Sequence, residues 1–169
     1  MKKYLGSGCS LREIHYTYRV GRKTASGIIR NVCKKIWQLM VEEYISRPNE
    51  EQLRTVVKDF EKRTYFPHCL GAVDGKHIRL VKSPGSASLC YNYKNFFSLI
   101  LMAVTDSNYR FIYIDVGSYG KDADPTIFEN SSLWRSLENN TLEIPASEHI
   151  PGIPDMQIPY TFVLIDFYF

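Results

Sequence analysis

Residues 95–116 read NFFSLILMAVTDSNYRFIYIDV, and this stretch decides the fold. Asn95 to Thr105 is strongly apolar, Asp106-Ser107-Asn108 is a polar turn, and Tyr109 to Val116 is a second strand-like run. Two such runs across a short loop predict an antiparallel hairpin. Upstream, Gly71 to Val81 (GAVDGKHIRLV) is a third strand candidate with an acid and a glycine in its middle. Downstream, Asp124 to Asn139 places Ile127, Phe128, Leu133, Trp134 and Leu137 on the inward face of a helix. Glu143 to Pro159 is polar and proline-rich, which predicts a loop, and Tyr160 to Phe169 reads as a last apolar strand. The order β-β-β-α-loop-β, with the last strand parallel to the first, predicts an α/β fold carrying a ribonuclease H-like mixed sheet. An α/β sheet of other wiring is the alternative.

Residues 1–64 differ in character. Ser10 is a candidate N-cap, with Glu13 three residues on to complete a capping box, and Leu11, Ile14 and Tyr18 follow at helical spacing. Val20-Gly21-Arg22 predicts a tight turn with Gly21 at positive φ. A second helix from about Lys23 has Ala25, Ile28, Ile29, Val32, Ile36, Leu39 and Met40 as its apolar face. This is a helix-turn-helix outline whose recognition helix presents Arg22, Lys23, Thr24, Ser26 and Arg30 as candidate DNA contacts. The plainer reading is a helical hairpin that only packs on its neighbour. Pro48 ends the stretch, and Asn49 to Arg63 predicts a further amphipathic helix.

Charge follows the same division. Residues 1–64 hold 14 Lys+Arg against 7 Asp+Glu, residues 65–169 hold 7 against 11, and the nets of +7 and −4 give the total of +3. A basic front is either a solvated helical surface or the phosphate-binding footprint of a nucleic-acid module. The expected organisation is a helical, helix-turn-helix-like module at 1–64 and an incomplete sheet domain at 65–169.

Composition excludes several classes. With 44% hydrophobic and 23% charged residues, collagen-like, disordered and mucin-like chains are out. No apolar run approaches the roughly 18–20 residues of a membrane span, so no membrane partner is expected. The basic N-terminus has no apolar stretch behind it, which argues against a secretory signal. Cys9, Cys33, Cys69 and Cys90 are too dispersed for a metal clip and too few for a disulfide scaffold, so a reduced, intracellular protein is expected. The apolar end, Tyr160 to Phe169, predicts either a strand docked inside a sheet or a fragment of a longer protein.

Two carboxylates carry the candidate chemistry. Asp74 and Asp166 each interrupt an apolar strand, where a charge is costly unless paired or bound to metal. On neighbouring strands they would converge on Mg²⁺ or Mn²⁺, hard ions that take oxygen ligands and suit phosphodiester hydrolysis. The plainer reading of each is a solvated carboxylate at a strand end or turn.

Gly71-Ala72-Val73-Asp74-Gly75-Lys76-His77-Ile78, followed by Tyr91-Asn92-Tyr93-Lys94-Asn95-Phe96-Phe97-Ser98, resembles the signature of the PIF/Harbinger transposase superfamily. Asp115-Val116-Gly117, Gly120-Lys121, Asp124, Ile127-Phe128 and Ser131-Ser132-Leu133 continue the resemblance in order, and it extends from about residue 10 to the end. It implies a Harbinger transposase-derived nuclease of ribonuclease H-like DDE fold, dependent on Mg²⁺ or Mn²⁺. The enzyme would be nuclear, act on DNA and be assisted by a Myb-like partner. Asp74 matches the first acid of the triad and Asp166 the second, both as metal ligands. The third, a Glu in an Arg-rich helix, has no counterpart, because Glu138, Glu143 and Glu148 all precede Asp166. The resemblance therefore implies a C-terminally truncated chain. Hydrolysis or strand transfer would belong to the full-length parent, and the alternative is an inactive derivative that binds DNA or protein. Among the remaining residues, Asp115 faces either the site or the opposite side, and Asp124 reads as an N-cap. Lys76 and His77 read as phosphate contacts or ordinary solvated and structural groups, and Tyr91, Tyr93 and Lys94 as DNA contacts or packing.

Overall fold

The computed structural model describes residues 2–81, 88–150 and 153–165. Packing divides the chain between Tyr44 and Ile45. The first unit holds α1 (Lys2–Ser7), α2 (Leu11–Tyr18) and α3 (Arg22–Tyr44). Ser10 caps α2: its Oγ accepts from the Glu13 N–H at 3.2 Å, and the Glu13 carboxylate accepts from the Ser10 N–H at 2.9 Å. The left-handed residue of the turn is Arg19, with φ 51°, rather than Gly21. It serves as the C-cap of α2, where a left-handed residue folds the chain back on the last carbonyls. His15 Nδ1 lies 2.9 Å from the Val20 oxygen and fastens the same turn. Cys9, Ile14 and Ala25 form a small core with Tyr4, Leu11 and Val20 against it. Of the apolar face expected on α3, Ala25 is buried, whereas Ile28, Ile36, Leu39 and Met40 are exposed. Length explains this: the 23 residues of α3 extend about 35 Å, and the 8 residues of α2 cover about 12 Å.

The second unit opens with α4 (Glu50–Thr64), capped reciprocally by Asn49 and Gln52 at 2.9 and 3.0 Å. Glu50 and Glu51 in its first turn and Lys62 and Arg63 in its last complement the helix dipole. Leu53, Val57 and Phe60, one stripe at helical spacing, are buried, and Leu53 and Val57 join the sheet core beside Leu70 and Val73. By packing, α4 thus belongs with the sheet, although the boundary read from sequence groups it with residues 1–64.

The strands are β1 (Cys69–Arg79), β2 (Ser98–Thr105), β3 (Phe111–Tyr119), β4 (Glu148–Ile150), β5 (Ile153–Ile158) and β6 (Thr161–Leu164). The main sheet runs β3-β2-β1-β6, antiparallel among the first three and parallel between β1 and β6. This is the mixed α/β sheet expected of an incomplete ribonuclease H-like fold. The core joins Leu70, Val73, Ile100, Met102 and Val104 of the sheet to Leu53, Val57, Ile127, Phe128 and Leu133 of the helices.

Three details depart from the sequence reading. The helix expected at 124–139 divides into α5 (Asp124–Asn130) and α6 (Ser132–Glu138), because Ser131 leaves helical geometry and its Oγ caps the Trp134 N–H at 3.1 Å. The N-cap of α5 is Ala123, not Asp124, and Pro125 sits in its first turn, where a missing N–H is harmless. The expected loop 143–159 contains the β4–β5 hairpin, held to α4 by the Arg54 guanidinium, 2.6 Å from Glu148 and 2.9 Å from Glu50.

The β2–β3 turn is organised by Asp106, which is buried and accepts from the N–H groups of Asn108 and Arg110 and from the Arg110 side chain at 2.7–2.9 Å. Burial opposes its charge, but these donors outweigh burial and hold the carboxyl below its ordinary range. A depressed folded-state pKa stabilises the fold above the ordinary carboxylate pKa and ceases to do so as pH falls through the folded value. Asp106→Ala is expected to cost about 1–3 kcal/mol at neutral pH by removing the buried, charged acceptor of the three hydrogen bonds that hold the turn. In urea melts at pH 7 and pH 3, the gap to the wild type should narrow at the lower pH; an equal gap at both would contradict this role.

Candidate functional site

Asp74 lies midway along β1, opposite Ala103 of β2, which is opposite Ile114 of β3, so these three share one face of the sheet. Its carboxylate is exposed, and Oδ1 accepts from the Gly75 N–H at 2.8 Å. The strand is apolar around it, but Asp74 itself is exposed rather than sunk in the core. Lys76 is exposed two residues along the same face.

Asp166 lies outside the described residues. The main chain is described as far as Ile165, whose N–H donates to the Val73 oxygen at 2.9 Å, continuing the parallel register Ala72–Val163 and Val73–Leu164. The residues immediately before Asp74 and Asp166 are therefore joined across adjacent strands. Among the described residues, no group of three His, Cys, Asp or Glu side chains could hold a metal ion.

Asp115 pairs with Met102, which pairs with Gly75, and so it lies on the face opposite Asp74. There it borders a cleft with Asp122, Thr126 and Asn130 and accepts from the Tyr113 hydroxyl at 3.4 Å. His77 is also on that face, and its Nδ1 is 3.0 Å from Ser98 Oγ. Ser98 is fully buried and accepts at 3.0 Å from the Asn92 amide, itself 2% exposed. Sequence reading missed this His77–Ser98–Asn92 network, because nothing in the spacing of three polar residues shows that they meet.

In the first unit, Arg22, Lys23, Ser26 and Arg30 line an open cleft of about 590 Å³ at the start of α3, and Thr24 is exposed in its first turn. Arg12 of α2 faces the same cleft. Its place one residue into the capped helix, beside Leu11, was the available signal.

A family model of the DDE superfamily endonucleases matches residues 73–160, just over half of the chain. This chain belongs to the DDE superfamily endonucleases. The motif run from Val73 to Leu133 falls within the matched span. It is also 30% identical over 151 residues to "Protein ALP1-like" of Arabidopsis thaliana, a match covering 85% of this chain and 36% of that protein. The chain thus spans about a third of the length of the relative it matches. No solved structure matches it. DDE superfamily endonucleases generally use divalent cations. Among the described residues, no helix is long and apolar enough to cross a membrane.

Proposed function

We propose that this chain is the DNA-binding front and the first part of the catalytic domain of a Harbinger-type transposase-derived nuclease. In this reading Asp74 and Asp166 are the metal ligands. The third acid lies beyond residue 169, and a Myb-like partner and a nuclear location accompany the activity. The observation that carries the reading is the hydrogen bond from Ile165 to Val73, next to an exposed Asp74 on the family's first strand. An exposed carboxylate is the donor that Mg²⁺ or Mn²⁺ takes, and the Gly75 N–H fixes one of its oxygens while leaving the other available. When bound, the cation stabilises the charge developing on a phosphodiester and lowers the pKa of attacking water. The α2–α3 cleft supports DNA as the substrate: Arg12, Arg22, Lys23 and Arg30 supply phosphate contacts, and Thr24 and Ser26 sit where a recognition helix meets base edges.

The full-length protein should nick supercoiled plasmid DNA with Mn²⁺ or Mg²⁺ and stop on addition of EDTA; nicking that survives the chelator would sink the metal-dependent reading. A binding module without cleavage is the second reading, favoured for residues 1–169 alone by the two candidate acids standing without a third. Sustained metal-dependent turnover by these residues alone would exclude it.

A further inference from the structure

The stretch Tyr91-Asn92-Tyr93-Lys94-Asn95-Phe96 folds as a locked turn whose exposed surface the nuclease reading does not use. Asn92 is its pin: the side-chain oxygen accepts from the Phe96 N–H at 3.1 Å, and the amide donates to buried Ser98 at 3.0 Å. The main chain closes with Asn92 N–H on the Phe96 oxygen at 3.0 Å and Asn95, at φ 62°, on the Asn92 oxygen at 3.1 Å. On this fixed base Tyr93 is 76% exposed. Its ring meets His77 edge-on at 5.6 Å, and Lys94 Nζ lies 5.4 Å from its centroid. Beside it the Arg79 guanidinium lies 4.3 Å above the Phe96 ring.

A large exposed ring on a hydrogen-bonded turn is a ready stacking surface, because the main chain beneath it is already ordered. The two cations choose the ligand. Residues 65–169 carry 7 Lys+Arg against 11 Asp+Glu, yet Arg79 and Lys94 gather at this one turn. An aromatic face flanked by cations fits a base with its phosphates, and base–aromatic stacking tolerates any sequence because every base has a π face. A duplex buries its base faces, so the ligand must be unpaired. Arg79 lies five residues beyond Asp74 on β1, a run of roughly 17 Å.

We propose that Tyr93, with Lys94 and Arg79, forms a binding site for unpaired DNA, stacking a base on Tyr93 and pairing the cations with adjacent phosphates. The proposal rests on DNA as the substrate, but its test does not need cleavage. The 169-residue chain is titrated by fluorescence anisotropy against labelled oligothymidylate, a DNA hairpin duplex and oligouridylate, as wild type, Tyr93→Ala, Tyr93→Phe and Lys94→Gln. Tyr93→Ala should weaken oligothymidylate binding roughly 5- to 150-fold, the range of one base–aromatic stack, and Tyr93→Phe should restore it. Lys94→Gln should reduce the salt slope by about 0.7, the contribution of one phosphate contact on a single strand. Duplex binding should be unchanged by Tyr93→Ala, and because every arm reads binding alone, loss of nicking in the full-length protein speaks to the nuclease reading and not to this one. Unchanged oligothymidylate affinity in Tyr93→Ala, an equal loss on the duplex, or tighter binding of oligouridylate would overturn the proposal.

Discussion

Asp74→Asn is expected to remove Mn²⁺-supported nicking by the full-length protein, by about three powers of ten or more, while leaving its melting temperature where it was. The size follows from the role: a cation that stabilises transition-state charge contributes several kcal/mol, and each 1.36 kcal/mol is about tenfold in rate. The selectivity follows from geometry. Asn keeps the shape of Asp and an oxygen to accept the Gly75 N–H, and the side chain is exposed, where substitutions usually change stability by less than about 0.5 kcal/mol. What Asn lacks is the negative charge that Mg²⁺ or Mn²⁺ requires. Asp115→Asn is the matched control, since the register places Asp115 on the other face of the sheet, and it should nick as the wild type does. Electron paramagnetic resonance of added Mn²⁺ supplies a readout independent of turnover: free Mn²⁺ signal should rise in Asp74→Asn. Full nicking in Asp74→Asn would discard the metal assignment.

The sheet was legible because its signals are local. The apolar run at 98–105, the turn at Asp106 and the run after it specify a hairpin, and the parallel return of β6 follows from the helices placed between. The capping box at Ser10 is equally local, needing only a residue and its neighbour three positions on. What sequence could not show depends on distant partners. The packing of α4 with the sheet is decided by Leu70 and Val73, and the β4–β5 hairpin is held by Arg54, 94 residues before Glu148. The candidate site divides the same way. Asp74 could be picked out as an acid in an apolar strand, but that it is exposed, and that Asp115 faces away from it, required the register. Likewise the tyrosines of 91–93 looked equivalent in sequence, whereas Tyr93 is left far more exposed than Tyr91, which is 43% exposed and has Phe97 edge-on at 5.2 Å.

Gly120→Ala is expected to destabilise the chain by about 3 kcal/mol or more, combining overpacking of about 1–3 kcal/mol with the similar penalty of a broken buried hydrogen bond. A methyl group at position 120 would lie 2.3 Å from Ser98 Oγ and 2.8 Å from the main-chain oxygens of Cys90 and Ser98. Ser98 cannot turn away freely, since its hydroxyl is buried and engaged by Asn92 and His77, and the two carbonyls cannot turn at all. The sign is the decisive point. Where the backbone suits any residue and space is open, Gly→Ala stabilises by about 0.4–1 kcal/mol through the unfolded chain. Gly120 has an ordinary φ, so only the crowding opposes that gain. Urea midpoints measure the balance, and a stabilised Gly120→Ala would show that position 120 does not press on Ser98. Adding Ser98→Ala should recover part of the loss by removing the closest contact, and leave the part owed to the carbonyls. Because Ser98 holds Asn92, and Asn92 accepts the Phe96 N–H, the same substitution should speed hydrogen exchange at the Phe96 amide more than at the amides of α4, which pack elsewhere on the sheet.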